Sequence, residues 1–244
     1  MVVENVVEKL KKTTKYSGCC LCLLYKDMLR FWQITLDFSH RYGKIALLLK
    51  IPFGRNTKMT YEMDIAGLKR ELPLCKLNEN LCIGAFVMFG DVELTVHCAA
   101  ELLKRAPEYD YIIAPEAKAI PLGYEMARQS AAERYFVARK GAKAYMQGTF
   151  EVTVRSITTK GVQHLVLDAE DAAFIKGKRM LIVDDVISTG ESLHAVEELV
   201  EKAGGIVAGR MAVLAEGNAA KRDDIIVLAP LPLFSADGQP LPLD

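Results

Sequence analysis

An apolar run at residues 180–183 is followed at once by two carboxylates, Asp184 and Asp185, and then by a short loop. The loop and the start of the helix-like segment after it comprise Ile187, Ser188, Thr189, Gly190, Glu191 and Ser192. A loop that enters a helix presents unpaired backbone N–H groups and the positive end of the helix dipole, and both bind phosphate. Two carboxylates beside it suit vicinal sugar hydroxyls or a hydrated Mg²⁺. Together they predict recognition of a ribose 5-phosphate.

Three other interpretations of this segment explain less of it. A receiver domain carries a similar acid pair on its first strand, whereas here the pair comes late in the chain and Thr-Gly follows it. A Walker-B strand requires an upstream GxxxxGK[ST] loop, and Gly43-Lys44 is followed by Ile45. An apolar strand that merely ends in helix-capping acids leaves the hydroxyl groups and the glycine without a role.

The composition excludes several classes of protein. The 244 residues carry 31 Lys+Arg and 31 Asp+Glu, so the balanced charge argues against a protein that coats nucleic acid or an anionic membrane. No apolar run reaches the roughly 20 residues of a membrane span, and the N-terminus has no convincing export signal. We therefore expect a cytoplasmic protein whose six cysteines are free thiols. Cys19 and Cys22 form a CxxC without the second pair that structural zinc usually requires.

The chain divides near Met59. Residues 1–58 mix apolar and basic residues without a clear period, and we interpret them as an N-terminal extension of unclear status. Residues 59–244 would form one domain of ordinary size. Within it, apolar runs alternate with amphipathic segments. The expected strands are 81–89, 109–114, 135–139, 180–183, 206–214 and 225–228, and the expected helices are 91–105, 120–130 and 191–203.

This alternation predicts an α/β fold, in which helices cover both faces of a parallel twisted sheet. The acid pair would then lie at the carboxyl edge of the sheet, where such folds bind ligands. In the helix after Asp91, two apolar stripes are expected to be buried. They are Leu94, Cys98 and Leu102, and Val92, Val96 and Leu103.

Residues 180–192 resemble the phosphoribosyl diphosphate (PRPP) signature of type I phosphoribosyltransferases. The resemblance continues in order over residues 61–233 and is closest to adenine phosphoribosyltransferase-like proteins. It implies the type I fold with a small hood that contains a β-hairpin, here residues 152–155 and 162–167 around Lys160-Gly161.

The resemblance also implies roles for individual residues. Asp184 and Asp185 would hold the ribose hydroxyls, and the loop 187–192 would hold the 5-phosphate. Glu116, Ala117 and Lys118 follow an early strand, as the family's diphosphate loop does, with Lys118 where an arginine is common. Arg139 and Lys143 match a basic stretch that neutralises the diphosphate. The catalytic residues would be Asp184, Asp185 and Lys118, and Mg²⁺ would arrive with PRPP near the two aspartates.

The predicted substrates are PRPP and a nucleobase, with a purine favoured, and a homodimer without membrane or nucleic-acid partners is expected. Adenine enzymes of the family carry Tyr-x-x-Glu-Tyr-Gly in the hood, whereas residues 155–161 contain no acid, so the sequence does not name the base. The alternative is a regulator of the same fold that senses PRPP without turnover, with residues 1–58 as an added module. Those residues show no clear helix-turn-helix pattern.

Overall fold

The computed structural model of the protein describes residues 59–155 and 162–243. The predicted extension, residues 1–58, and the hairpin turn at Lys160-Gly161 lie outside the described residues.

The central sheet is parallel, as predicted, and contains five of the six expected strands in the order β10-β9-β8-β4-β5, because the strand expected at 81–89 lies in another sheet. Their bounds are β4 Tyr111–Pro115, β5 Phe136–Ala138, β8 Arg179–Ile187, β9 Ile206–Glu216 and β10 Ile226–Leu231. The central strand β8 is buried at seven of its nine positions, because both of its faces are covered.

Successive residues of the central strands point to opposite faces of the sheet, and each face has its own core. Leu181 and Val183 pack with α1 (Val92–Leu103) and α2 (Ile120–Gln129). Met180 and Ile182 pack on the other side. The helices of that side are α3 (Ala169–Ile175) and α4 (Glu191–Lys202). The predicted arrangement of helices on both faces is therefore confirmed.

For helix α1, the prediction that Asp91 caps it is confirmed, and the prediction that two apolar stripes are buried is wrong for one of them. Asp91 caps it, because its Oδ1 accepts a hydrogen bond from the Leu94 N–H at 3.0 Å. The stripe of Leu94, Cys98 and Leu102 is buried, but Val92 is 74% exposed and Val96 and Leu103 are not buried. The small residues Thr95 and Ala99 complete the buried face instead, because they allow close packing.

A second, antiparallel sheet, here called the hood sheet, has the order β1-β2-β3-β11. Its bounds are β1 Thr60–Ile65, β2 Leu68–Lys76, β3 Leu81–Gly84 and β11 Phe234–Ser235. β3 is shorter than the predicted strand 81–89, because pairing with β2 and β11 covers only its first four residues. Phe234 is fully buried and its ring meets Tyr61 edge-on, with 4.9 Å between the ring centroids.

The predicted hairpin is present as β6 (Thr149–Arg155) and β7 (Val162–Asp168). Its base belongs to the core: Val152, Leu165 and Leu167 are buried. Arg139 and Val166 exchange two backbone hydrogen bonds of 2.8 and 2.9 Å, which fix β7 beside β5. The base of the hairpin is therefore framework of the domain, and the separate antiparallel sheet fits the predicted hood.

Nowhere in residues 59–155 and 162–243 is there a helix with the length and apolar character needed to cross a membrane.

Candidate functional site

The carboxyl ends of the neighbouring strands β4, β8 and β9 meet at one edge of the central sheet. The segments that follow them begin at Glu116, Ser188 and Gly217. In a parallel sheet this edge is open, because the helices return along the faces, and ligands bind there. The topology thus brings to one edge the acid pair, the Glu116–Lys118 loop and residues 187–192, here called the phosphate loop after their predicted role.

The acid pair is buried at the end of β8. Asp184 is 8% and Asp185 is 3% exposed, and the Asp185 N–H donates a 2.8 Å hydrogen bond to Asp184 Oδ1. Burial raises the pKa of Asp184 well above its usual range, and the adjacent Asp185 charge raises it further, while Lys118 offsets part of the effect. A carboxyl in this position can hold or release a proton according to the charge of what binds beside it.

Lys118 contacts the acid pair directly. Its Nζ lies 2.5 Å from Asp185 Oδ2, and its side chain is 46% exposed. The lysine therefore joins the loop after β4 to the end of β8 while one side of it faces solvent. All three residues predicted to be catalytic lie in one cluster.

The basic stretch after β5 reaches the same loop through Glu116. The carboxylate of Glu116 accepts a 2.9 Å hydrogen bond from the Lys140 N–H, and it lies 3.5 Å from Arg139 and 3.7 Å from Lys143. The Lys140 hydrogen bond and these charges hold the pKa of Glu116 below its usual range. Glu116 is thus a partner of the cations, and Ala117, which is exposed, separates it from Lys118.

The phosphate loop encloses a cavity of about 60 Å³, lined by Asp184, Val186 and residues 187–193. Gly190 is the N-cap of α4 and has a φ of 81°, a left-handed conformation that favours glycine. The first backbone N–H groups of α4 follow it, as the sequence predicts for a phosphate cup. The six predicted phosphate-loop residues are therefore placed together.

A larger cavity of about 500 Å³ adjoins the phosphate loop at Ser188 and Thr189. Apolar side chains of the hood side form one wall, and the segment after β9 forms the other. The hood-side residues are Leu77, Leu81, Ile83 and Leu233, and the others are Glu216, Gly217, Asn218, Ala219 and Arg222. Mostly apolar walls with a few polar groups suit a flat heteroaromatic ring.

Sequence reasoning missed Glu216, Asn218 and Arg222. Burial raises the pKa of the Glu216 carboxyl, and the charge of Lys118 offsets part of that effect. A signal was present, because Glu216-Gly217-Asn218 follows an apolar strand as directly as the acid pair does. Because β9 lies next to β8 in the sheet, these residues lie at the same edge as the acid pair.

The donor set fits Mg²⁺ that arrives with a substrate. The carboxylates of Asp184 and Asp185 are hard oxygen ligands, and Mg²⁺ in phosphate chemistry usually takes one or two of these plus phosphate oxygens. Within the part of the chain that the structure describes, no group of three or more His, Cys, Asp or Glu side chains could hold a metal ion by itself.

The family profile described as phosphoribosyl transferase domain matches residues 95–229, which is more than half of the chain. The chain belongs to the phosphoribosyltransferase family. The matched range contains every predicted site residue of this phosphoribosyltransferase, whereas the hood wall of the larger cavity lies outside it.

Two curated relatives show which enzymes the chain is similar to. It is 33% identical over 102 residues to an adenine phosphoribosyltransferase of Pseudothermotoga lettingae, covering 42% of this chain and 56% of the relative. It is 32% identical over 130 residues to a hypoxanthine/guanine phosphoribosyltransferase of Methanocella paludicola, covering 53% and 64%. The match thus spans less than two thirds of the length of either relative.

A solved structure agrees with the fold. The adenine phosphoribosyltransferase of Thermoanaerobacter pseudethanolicus superposes with a TM-score of 0.50 at 24% identity, over 71% of this chain and 96% of that one. At this identity the similarity establishes the type I fold of this phosphoribosyltransferase and nothing finer.

Proposed function

We propose that this phosphoribosyltransferase transfers ribose 5-phosphate from PRPP to a ring nitrogen of a purine base and releases diphosphate. The observation that carries the proposal is the adjacency of a phosphate cup, an acid pair and a mostly apolar cavity along one sheet edge. They match the three parts of a purine nucleotide: phosphate, ribose and base.

The proposed reaction breaks the bond between the anomeric carbon and the diphosphate oxygen and forms a bond from that carbon to the base nitrogen, whose proton passes to solvent or to the released diphosphate. Positive charge develops on the sugar and negative charge on the leaving group. Lys118, Arg139 and Lys143 would stabilise the leaving diphosphate, since each forms an ion pair with a carboxylate that the ligand can replace. The buried acid pair would hold the ribose hydroxyls and orient the reacting carbon.

Mg²⁺ would be held by Asp184 and Asp185 together with PRPP oxygens, and when bound it neutralises charge on the diphosphate. The turn between β6 and β7, outside the described residues, is proposed to close over PRPP and exclude water. That the protein acts as a cytoplasmic homodimer also stays a prediction.

The purine assignment is supported by the size of the 500 Å³ cavity and by the names of the relatives, which include adenine and hypoxanthine/guanine enzymes. The choice between an amino and an oxo purine is left to experiment. The absence of an acid in residues 155–161 is a reason to test both classes.

The test is incubation of the full chain with PRPP, Mg²⁺ and a panel of adenine, hypoxanthine, guanine, xanthine and uracil, with release of diphosphate as the readout. We expect turnover with at least one purine and none with uracil. Asp185→Asn should abolish it without unfolding the protein. Tight PRPP binding without turnover on any base would contradict the enzyme and favour the PRPP-sensing regulator.

A further inference from the structure

The phosphate cup has a charge deficit. Its residues 187–192 offer backbone N–H groups and hydroxyls, but their one charged side chain is the acid Glu191. A phosphate monoester carries about 1.5 to 2 negative charges at pH 7, and a helix N-terminus supplies about half a positive charge. A side-chain cation from outside the loop would balance the bound group.

Arg222, which follows the 3₁₀ helix Gly217–Lys221, lies against this cup. A Cβ built on Gly190 would stand 2.7 Å from Arg222 Nη1, so the guanidinium packs directly onto the backbone at the start of α4. Arg222 also lines the larger cavity beside Ser188 and Thr189. Arg222 therefore packs on Gly190, which lines the phosphate cup, and itself lines the proposed base cavity.

Asp224 fixes the orientation of this guanidinium. Arg222 Nε and Nη2 donate to the two carboxylate oxygens of Asp224 at 2.8 and 2.7 Å. This two-point contact leaves Nη1 as the nitrogen directed toward the loop, and among the described residues Nη1 donates no hydrogen bond. The charge of Glu197 also acts on Arg222, and Glu197 is itself ion-paired with Arg210.

The same geometry gives a second reason for glycine at position 190. Its φ of 81° already disfavours a side chain, and any side chain would also displace the arginine. The loop conformation and the position of Arg222 thus depend on the same residue.

We propose that Arg222 is a phosphate-binding residue of this site, that its Nη1 contacts the 5-phosphate, and that Asp224 is the positioning residue that holds it there. This assignment rests on the proposed function and adds to it a cation that the signature loop does not contain.

The test measures binding of ribose 5-phosphate and of PRPP with Mg²⁺ to the full chain by calorimetry. Arg222→Ala should weaken both ligands by roughly tenfold to a hundredfold, because both carry the 5-phosphate. Arg222→Lys should recover part of the lost affinity. Asp224→Asn should lower the affinity for both ligands severalfold, because the guanidinium of Arg222 is no longer fixed. Arg179→Ala is the matched control, since it removes an Arg–Asp pair at the other end of β8 and should leave both affinities unchanged.

If Arg222→Ala does not fold, Arg222→Gln replaces it, because glutamine retains much of the packing and can hydrogen-bond Asp224 but lacks the charge. The same tenfold loss is expected. Affinities for ribose 5-phosphate within twofold of the unsubstituted chain would overturn the assignment and leave the proposed function standing. An unsubstituted chain that binds neither ligand would overturn the proposed function, and the role of Arg222 with it.

Discussion

Replacing Asp184 with asparagine should make this phosphoribosyltransferase more stable while it impairs binding. Asp184 is buried beside Asp185, and its pKa is raised first by burial and then by that neighbour. Asparagine has nearly the same shape, retains the oxygen that accepts from the Asp185 N–H, and cannot ionise. The substitution removes the cost of a buried charge and little else.

Proton linkage determines the sign and size of the expected change in the free energy of unfolding. The folded pKa of Asp184 lies above the unfolded value of about 3.9, so between those two values the folded state binds more protons. The unfolding free energy contributed by this group therefore falls as pH rises through that window, by about 1.4 kcal/mol for each pH unit. Asp184→Asn should match the parent near pH 4 and exceed it by more as the pH rises through that window.

Urea unfolding of the ligand-free full chain at several pH values between 4 and 8 measures this difference. Asp110→Asn is a control of opposite sign. The backbone N–H and side chain of Arg179 hold the pKa of Asp110 below its usual range, so its stabilisation is present at neutral pH and lost in acid. An Asp184→Asn variant that is no more stable than the parent at pH 8, or whose advantage does not change with pH, would refute the reasoning.

Four further predictions follow from the site. Lys118→Ala should lower the affinity for PRPP by about tenfold to a hundredfold and leave the affinity for a nucleoside monophosphate nearly unchanged, because only PRPP has the diphosphate. Equal losses of affinity for the two ligands in calorimetry would show that Lys118 does not contact the diphosphate. Gly190→Val should abolish binding of both ligands, since its Cβ would meet Arg222 and its φ is left-handed. Glu216→Gln should raise the KM for the base by about tenfold and change the affinity for PRPP less than twofold. A lower affinity for PRPP with an unchanged KM for the base would show that Glu216 does not belong to the base site. A chain that starts at Met59 should fold and bind PRPP as the full chain does, and a tenfold weaker affinity would show that the extension contributes.

The chemistry of the site could be predicted where the residues responsible for it belong to one continuous segment of the chain. The strand that contains Asp184 and Asp185, the loop after it and the start of the next helix are consecutive in the sequence. Lys118 was expected at the ligand-binding edge because its loop follows a buried strand of the α/β sheet, but its contact with Asp185 was not predicted.

The parts that could not be predicted depend on pairings between distant segments. The base cavity has Leu81 and Ile83 on one strand and Leu233 close to another, and nothing local indicates that these strands pair. Strand β2 was not predicted, and it contains Pro73, which disfavours a strand but is tolerated here where the pairing with β1 ends. Arg222 gave no signal, since its role depends on where Gly190 lies in space.

The pairing of β3 with β11 also sets an order of assembly during synthesis. Phe234 pairs with Cys82 across about 150 residues, and all five strands of the central sheet lie between them in the chain. The nascent chain can therefore complete the sheet, the acid pair and the phosphate cup before β11 leaves the ribosome. Until then the edge of β3 that pairs with β11 has no partner strand, and a chaperone that recognises exposed apolar strands would find its target there.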